Sequence, residues 1–233
     1  MKRIGDCFLY GIVDLGYVVE RNVELVTSQL VAGGVDLLQL RAKGQSKPEI
    51  ANLALAMLPI TKPAGVPLIV NDHPELLRDV AADGCHVGQE DFDVAEARNL
   101  AGRPCIVGKS THSLEQAGSA QQEGADYIGF GPLFPTATKP SAIAVGLDQL
   151  AVLHRTINLP VFCIGGVKLE NLREVVRAGA RRVCMVSDLV CASDVEAHTA
   201  AVKVLLRELK VGARDNRGGF TTEAQRARRS EWL

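Results

Sequence analysis

The sequence predicts an α/β protein folded as one closed (β/α)8 barrel, and three observations predict it. Short apolar runs alternate with longer amphipathic runs along the chain, the pattern of βαβ units around a parallel sheet. The apolar runs are eight: 8–14, 36–41, 67–72, 84–88, 105–110, 126–131, 160–166 and 182–187. From Leu9 to Val183 they recur about every 25 residues, and roughly 210 residues in eight such units suit a compact TIM barrel. An open doubly wound sheet is the alternative, but no GxGxxG follows the first run.

Taken in order, each element has a local reason. The first run, FLYGIVD, leads to a helix over 19–33, and DLLQLR follows. The helix over 47–60 opens at Ser46 with Glu49 three residues on, a capping box that satisfies free N–H groups. PLIVND precedes a helix over 74–81, and GCHVG one over 93–101. CIVGKS leads to a helix over 113–123, which Ser113 caps. DYIGFG is followed by a long loop and a helix over 146–157, PVFCIGG by one over 169–178. After RVCMVS the helix over 194–210 has the clearest period: Val195, His198, Val202, Leu205, Leu206 and Leu209 share a face. The barrel therefore occupies 1–210. Residues 211–233, with five Arg, three acids and three Gly and no apolar period, read as a polar tail without fixed structure.

Composition narrows the function classes. Of 233 residues, 47% are hydrophobic and 23% charged, so the chain folds around a core. Aromatics are 4%, which predicts a barrel interior of branched aliphatics. The net charge of −1 excludes a broadly basic nucleic-acid surface. No apolar stretch reaches 18 residues, so no membrane span is expected. The first apolar run is bounded by Asp6 and Asp14 and reads as a strand, not a signal peptide. Six cysteines without a CxxC pair read as structural thiols of a reducing cytoplasm.

Barrels of this kind carry their chemistry at the carboxyl ends of the strands. Those ends bear Asp14, Gln39 to Lys43, Asn71-Asp72, Gly88 to Asp91, Ser110 to His112, Gly131 to Lys139, Gly165-Gly166 and Val186-Ser187. Gln39, Arg41 and Lys43 alternate along an extended segment and so share a side. With Lys139 the two cations supply positive charge for a polyphosphate. Asp72 and Asp91 end neighbouring strands, and two carboxylates suit Mg²⁺ bound to phosphate oxygens. The plainer reading is a pair of local salt bridges. Gly165-Gly166 and Val186-Ser187 follow the last two strands, the recurrent phosphate site of this fold; their plainer reading is tight βα turns. His86, within the fourth strand and on the side of the barrel interior, reads as a core histidine; His112, which follows Ser110 at a strand end, is the stronger site candidate. No GxSxG, HExxH or Walker A motif occurs.

QLRAK, NDHPELL, DGCHVGQEDF, GKSTHSLEQA, GADYIGFGPLFPTATK, IGGV and CMVSD, in this order, resemble the thiamine-phosphate synthase family over about residues 8–210. The resemblance implies a barrel enzyme that joins a hydroxymethylpyrimidine diphosphate to a thiazole phosphate, with Mg²⁺, releasing pyrophosphate. It implies that Gln39, Arg41, Lys43, Asn71, Ser110 and Lys139 contact the pyrimidine diphosphate. Asp72 and Asp91 would hold Mg²⁺, and Thr136, Thr138, Gly166, Val186 and Ser187 the thiazole phosphate. Ser110, Lys139, Arg41 and Lys43 would serve the reaction itself, and the loop over 132–146 would close on the substrates. Members often assemble as homo-oligomers. The partners expected are small phosphate esters, with neither nucleic acid nor membrane.

Three features depart from the family pattern: His73 where Arg is usual, Lys109 where a small apolar residue is usual, and the tail. Lys109, next to Ser110 on a strand, is expected to point away from the site. Two rival readings remain. A related thiazole tautomerase would use His112 as its acid and base, but needs no diphosphate-metal site. A phosphate-binding module would leave the acids idle.

Overall fold

The computed structural model describes residues 1–18, 22–136 and 143–218, with side chains described as far as residue 209. After a 3-10 turn at Ile4–Asp6 the order is β1 (Leu9–Asp14), α1 (Val23–Ala32), β2 (Leu37–Arg41), α2 (Lys47–Thr61) and β3 (Leu68–Asn71). A second 3-10 turn (Pro74–Arg78) precedes β4 (Gly84–Val87), α3 (Val94–Ala101), β5 (Ile106–Thr111), α4 (Leu114–Gln122), β6 (Tyr127–Phe130) and α5 (Leu150–Thr156). The described residues end with β7 (Val161–Cys163), α6 (Leu172–Arg177), β8 (Val183–Met185), α7 (Ser187–Val190) and α8 (Val195–Gly218). All neighbouring strands are parallel, and β1 pairs with both β2 and β8, which closes the barrel. Among the described residues no helix is long and apolar enough to cross a membrane.

Local chemistry starts the helices. Asn22, Asp93 and Ser113 each accept a backbone N–H of the first turn, and Ser46 with Glu49 forms the expected capping box. Residues 19–21 of the expected first helix lie outside the described residues. The helix expected over 74–81 is instead a five-residue 3-10 turn. Its region draws donors from the next unit: Arg103 Nε donates to the Leu77 carbonyl at 2.7 Å and Arg103 also bonds the Ala82 carbonyl. Those carbonyls have no need of an α-helix. α8 runs to Gly218, past the expected end at Lys210. The added residues, 211–218, show no apolar period in sequence, so helical backbone there extends beyond the stretch that periodicity marks.

Strand alternation divides the apolar residues into two cores. The outer one, between strands and helices, is aliphatic: Leu9, Val13, Leu38, Leu40, Val70 and Val161 are fully buried. The inner one is not the branched-aliphatic packing that composition suggested. Tyr10, Tyr127 and Phe162 meet edge-to-face in it, with ring centroids 5.2–5.8 Å apart, beside Ile12, Leu37 and Ile69. Three of the ten aromatics meet where alternate strands converge, while Phe130 is buried in the outer core. A 4% total says nothing of that clustering.

One ion cluster ties the amino end of the barrel. Asp36 accepts Lys2 Nζ at 2.9 Å, the Phe8 and Leu9 N–H groups at 2.9 and 3.1 Å, and Lys203 Nζ from α8. Burial pushes this carboxyl up, but the lysine and backbone donors outweigh it and hold the group below the usual carboxylate value.

Candidate active site

The cavity opens at the carboxyl ends of the strands. Gln39, Arg41, Asn71, Ser110, Thr136, Gly166, Val186 and Ser187 all line it. Eight of the sequence-predicted residues therefore converge on one space. Thr138 and Lys139 lie outside the described residues, as does most of the central part of the loop expected to close.

Arg41 is the last residue of β2 and pairs in register with Asp14, the last of β1. Its Nη1 donates to Asp14 Oδ2 at 2.5 Å, and Gly16 N–H donates to Asp14 Oδ1 at 3.0 Å. Asp14 is buried and so fixes the guanidinium at the cavity wall. Lys43 lies beyond the strand, in a turn, and its Nζ is 3.3 Å from Asp72 Oδ2. The two cations thus face different acids, rather than sharing one side of an extended segment: β2 ends at Arg41.

Asp72 has φ +60°, the only non-glycine with positive φ among the described residues. That conformation costs about 1 kcal/mol or more outside glycine, asparagine and aspartate, and less for those small polar residues. It is held by Asp72 N–H donating to the His86 carbonyl across β3 and β4 at 2.9 Å. Burial, and then the neighbouring Asp91 carboxylate, push the Asp72 carboxyl above its usual value, against the pull of Lys43. Asp91 Oδ2 in turn accepts Gly88 N–H at 2.6 Å. A Cβ at Gly88 would stand 2.7 Å from that oxygen, so a larger residue there would push the Asp91 carboxylate aside. Two carboxylates held against each other lack positive charge. They fit a hard divalent cation, whose other positions go to water and phosphate oxygens. Among the described residues no third His, Cys, Asp or Glu joins them.

Lys43, Asp72 and Asp91 are not among the residues that line the cavity, and its wall after β7 is backbone. Gly165 and Gly166 have φ +94° and +65°. Cβ atoms there would stand 2.3 Å from Pro132 Cβ and 2.7 Å from Phe134 Cβ, so the turn and the β6 loop pack without side chains between them. Leu133 N–H donates to the Ile164 carbonyl and Phe134 N–H to that of Gly165, at 2.8 and 3.1 Å. Asn171 Nδ2 holds the Gly166 carbonyl at 2.8 Å. Val186 and Ser187 close this wall where α7 begins.

Of the other lining or supporting residues, Lys168 was not singled out from sequence, and the rest were named there without these contacts. Lys168 lines the glycine wall and adds a cation there. Gln89 Nε2 donates to the Ser110 carbonyl at 2.5 Å. His86, expected to be a plain core histidine, bonds Ser110 Oγ through Nε2 at 2.9 Å. The inward phase of β4, Gly84 and His86, is the signal that pointed to it. His112 lines the cavity and bonds the Gly131 carbonyl through Nδ1, while its N–H donates to Gln116 Oε1 at 2.7 Å. Lys109 points away as expected, its Nζ donating to the Phe92 carbonyl at 2.6 Å. His73 Nδ1 is 3.2 Å from Glu75 Oε1.

A family model described as thiamine monophosphate synthase matches residues 9–189. A thiamine-phosphate synthase of Halalkalibacterium halodurans is 38% identical over 209 residues, covering 89% of this chain and 99% of that protein. One of Chloroflexus aurantiacus is 41% identical, covering 88% and 95%. Among solved structures, a thiamine phosphate pyrophosphorylase from Pyrococcus furiosus superposes with a TM-score of 0.81 at 29% identity, covering 89% of this chain and 99% of that one.

Proposed function

The chain belongs to the thiamine monophosphate synthase family, and we propose that its acid–base wall holds a magnesium diphosphate while its glycine wall holds a second phosphate ester. The enzyme is a transferase of thiamine biosynthesis. It joins a hydroxymethylpyrimidine diphosphate to a thiazole phosphate and releases pyrophosphate. The observation that carries the site assignment is the Asp72–Asp91 pair, deficient in positive charge, with Lys43 3.3 Å from Asp72 and Arg41 held by Asp14 on the cavity lining.

The thiazole nitrogen attacks the pyrimidine methylene carbon with its own lone pair. The bond from that carbon to the diphosphate oxygen breaks, and the diphosphate leaves with both electrons. With the thiazole phosphate no proton moves, so no general base is needed; the 2-carboxy form would in addition lose CO₂ and take up a proton at that carbon. The barrier is the charge growing on the leaving group, and the bond breaks ahead of attack, through a pyrimidine cation. Asp72 and Asp91 would hold Mg²⁺, which would supply partial neutralisation of the diphosphate charge. Arg41, fixed by Asp14, and Lys43 supply donors to the diphosphate oxygens, and Lys139 adds a third cation. Gln39, Asn71 and Ser110 orient the pyrimidine. Gly166, Val186, Ser187, Thr136 and Thr138 hold the thiazole phosphate or its 2-carboxy form, and Lys168 stands on the same wall. The loop over 132–146 excludes water that would trap the cation. The barrel works over 1–210, in the cytoplasm, on small phosphate substrates.

Asp91→Ala tests the metal assignment. Turnover is expected to vanish, and calorimetric binding of Mg²⁺ in the presence of pyrophosphate to be lost with it. Full activity in Asp91→Ala would refute the assignment.

A further inference from the structure

Beneath the cavity an unbroken chain of hydrogen bonds crosses the barrel interior. Gln39 Nε2 donates to Tyr10 OH at 2.5 Å, Tyr10 OH meets Tyr127 OH at 2.9 Å, and Tyr127 OH meets His86 Nδ1 at 3.1 Å. His86 Nε2 meets Ser110 Oγ at 2.9 Å. Its members come from β2, β1, β6, β4 and β5 in turn. The bonds were given space: a Cβ at Gly108 would stand 2.1 Å from Tyr127 Cζ and 2.5 Å from His86 Nδ1. Burial pushes both phenols well above their usual pKa, so each keeps its single proton.

Proton counting gives the chain one direction. An amide nitrogen only donates, so Tyr10 oxygen accepts from Gln39 and spends its own proton on Tyr127. Tyr127 then gives its proton to His86 Nδ1. A neutral imidazole with an accepting Nδ1 carries its hydrogen on Nε2 and donates it to Ser110 Oγ. The Ser110 hydroxyl proton is left for the cavity. At the other end Gln39 keeps its carboxamide oxygen. Both residues line the cavity.

We infer that this chain fixes the polarity of the ring site, with an acceptor at Gln39 and a donor at Ser110, and that Tyr10, Tyr127 and His86 are positioning residues for substrate choice. The matching ligand class is an aminopyrimidine, whose exocyclic amine donates and whose ring nitrogens accept. A 4-oxo analogue turns the exocyclic donor into an acceptor and one ring nitrogen from acceptor to donor. This rests on the aminopyrimidine diphosphate reading of the site. Were the chain reversed, the site would select the oxo ring.

The test compares kcat/KM for the amino diphosphate and its 4-oxo analogue, in the native enzyme and in Tyr127→Phe and Tyr10→Phe. Both variants keep the rings and remove one link. The native preference for the amino substrate is expected to be on the order of 10²-fold or more, since a site built to hydrogen-bond rejects a mismatched isostere strongly. Each variant should reduce that ratio about tenfold or more. A ratio within twofold of native in both variants overturns the inference. If one variant does not fold, the other carries the same comparison. In the ligand-free protein, ¹⁵N shifts of His86 should report the Nε2–H tautomer, and a mixture in Tyr127→Phe. An Nδ1–H tautomer in the native protein also overturns it. Absence of any turnover would instead strike the functional reading, and the ¹⁵N result would stand apart from it.

Discussion

Two aspartates at opposite ends of the barrel show how burial can finish a carboxylate or leave it wanting. Asp36, at the amino end, receives two lysines and two backbone N–H groups, and its carboxyl is held below the usual value. Asp72, at the carboxyl end, receives one lysine at 3.3 Å and faces Asp91, and its carboxyl is pushed up by burial and by that neighbour. Asp36 closes the N-terminus and α8 onto the strands. Asp72 is left short of positive charge, as the proposed metal-diphosphate reading requires. In this fold the amino end carries stability and the carboxyl end carries chemistry, and the two carboxylates express that division in their partners.

The comparison breaks most readily at Asp36. Asp36→Ala leaves Lys203 buried without its counter-charge, which is expected to cost about 3–5 kcal/mol in urea unfolding. Activity per folded molecule should stay within twofold of the parent. A large activity loss at unchanged stability would erase the distinction. Asp72→Asn should do the opposite. Relief of like charge should keep its unfolding midpoint at or above that of the parent, while turnover falls on the order of 10²-fold or more with the loss of leaving-group stabilisation. Marked destabilisation by Asp72→Asn would make Asp72 a second Asp36.

Acid titration sharpens the same contrast in two stages. Burial, with Arg181 and Arg182 nearby, pushes His154 on α5 down to about 4 from 6.5, and its Nε2 is buried without a partner among the described residues. The unfolded chain therefore takes a proton there before the folded one does. Stability is complete above 6.5 and drains as pH falls towards 4. Asp36 acts lower: its contribution is complete above 3.8, the ordinary value, and is lost as pH falls through the depressed folded value. Melting temperature against pH should show both limbs, and His154→Leu should remove only the upper one. The smallest effect is expected for truncation after Lys210, because the α8 residues buried against the barrel, Val202, Lys203 and Leu206, precede it. Activity should remain nearly intact, and a large loss would give residues 211–233 a place at the site or in assembly.

Much of this was legible in the sequence, for a physical reason. Outer-core strand positions such as Leu9, Val13, Leu38 and Leu40 alternate with inward ones, and alternation is what periodicity detects. The strand ends were legible because polar residues there interrupt apolar runs. The less legible parts depend on contacts between distant units. Nothing near Pro74 announces that Arg103 will satisfy the Leu77 carbonyl. Tyr10 and Tyr127 stand 117 positions apart, and only barrel closure brings their hydroxyls to 2.9 Å. Asp14 was visible as a strand end, but its grip on Arg41 needs the register of β1 against β2.

Pyrophosphate release by the purified protein, with both substrates present and with Mg²⁺ added or chelated, tests the central claim most directly. Release is predicted to require the pyrimidine diphosphate, the thiazole phosphate and Mg²⁺ together. Binding of the thiazole phosphate without pyrophosphate release, or release undiminished by chelation, would contradict it.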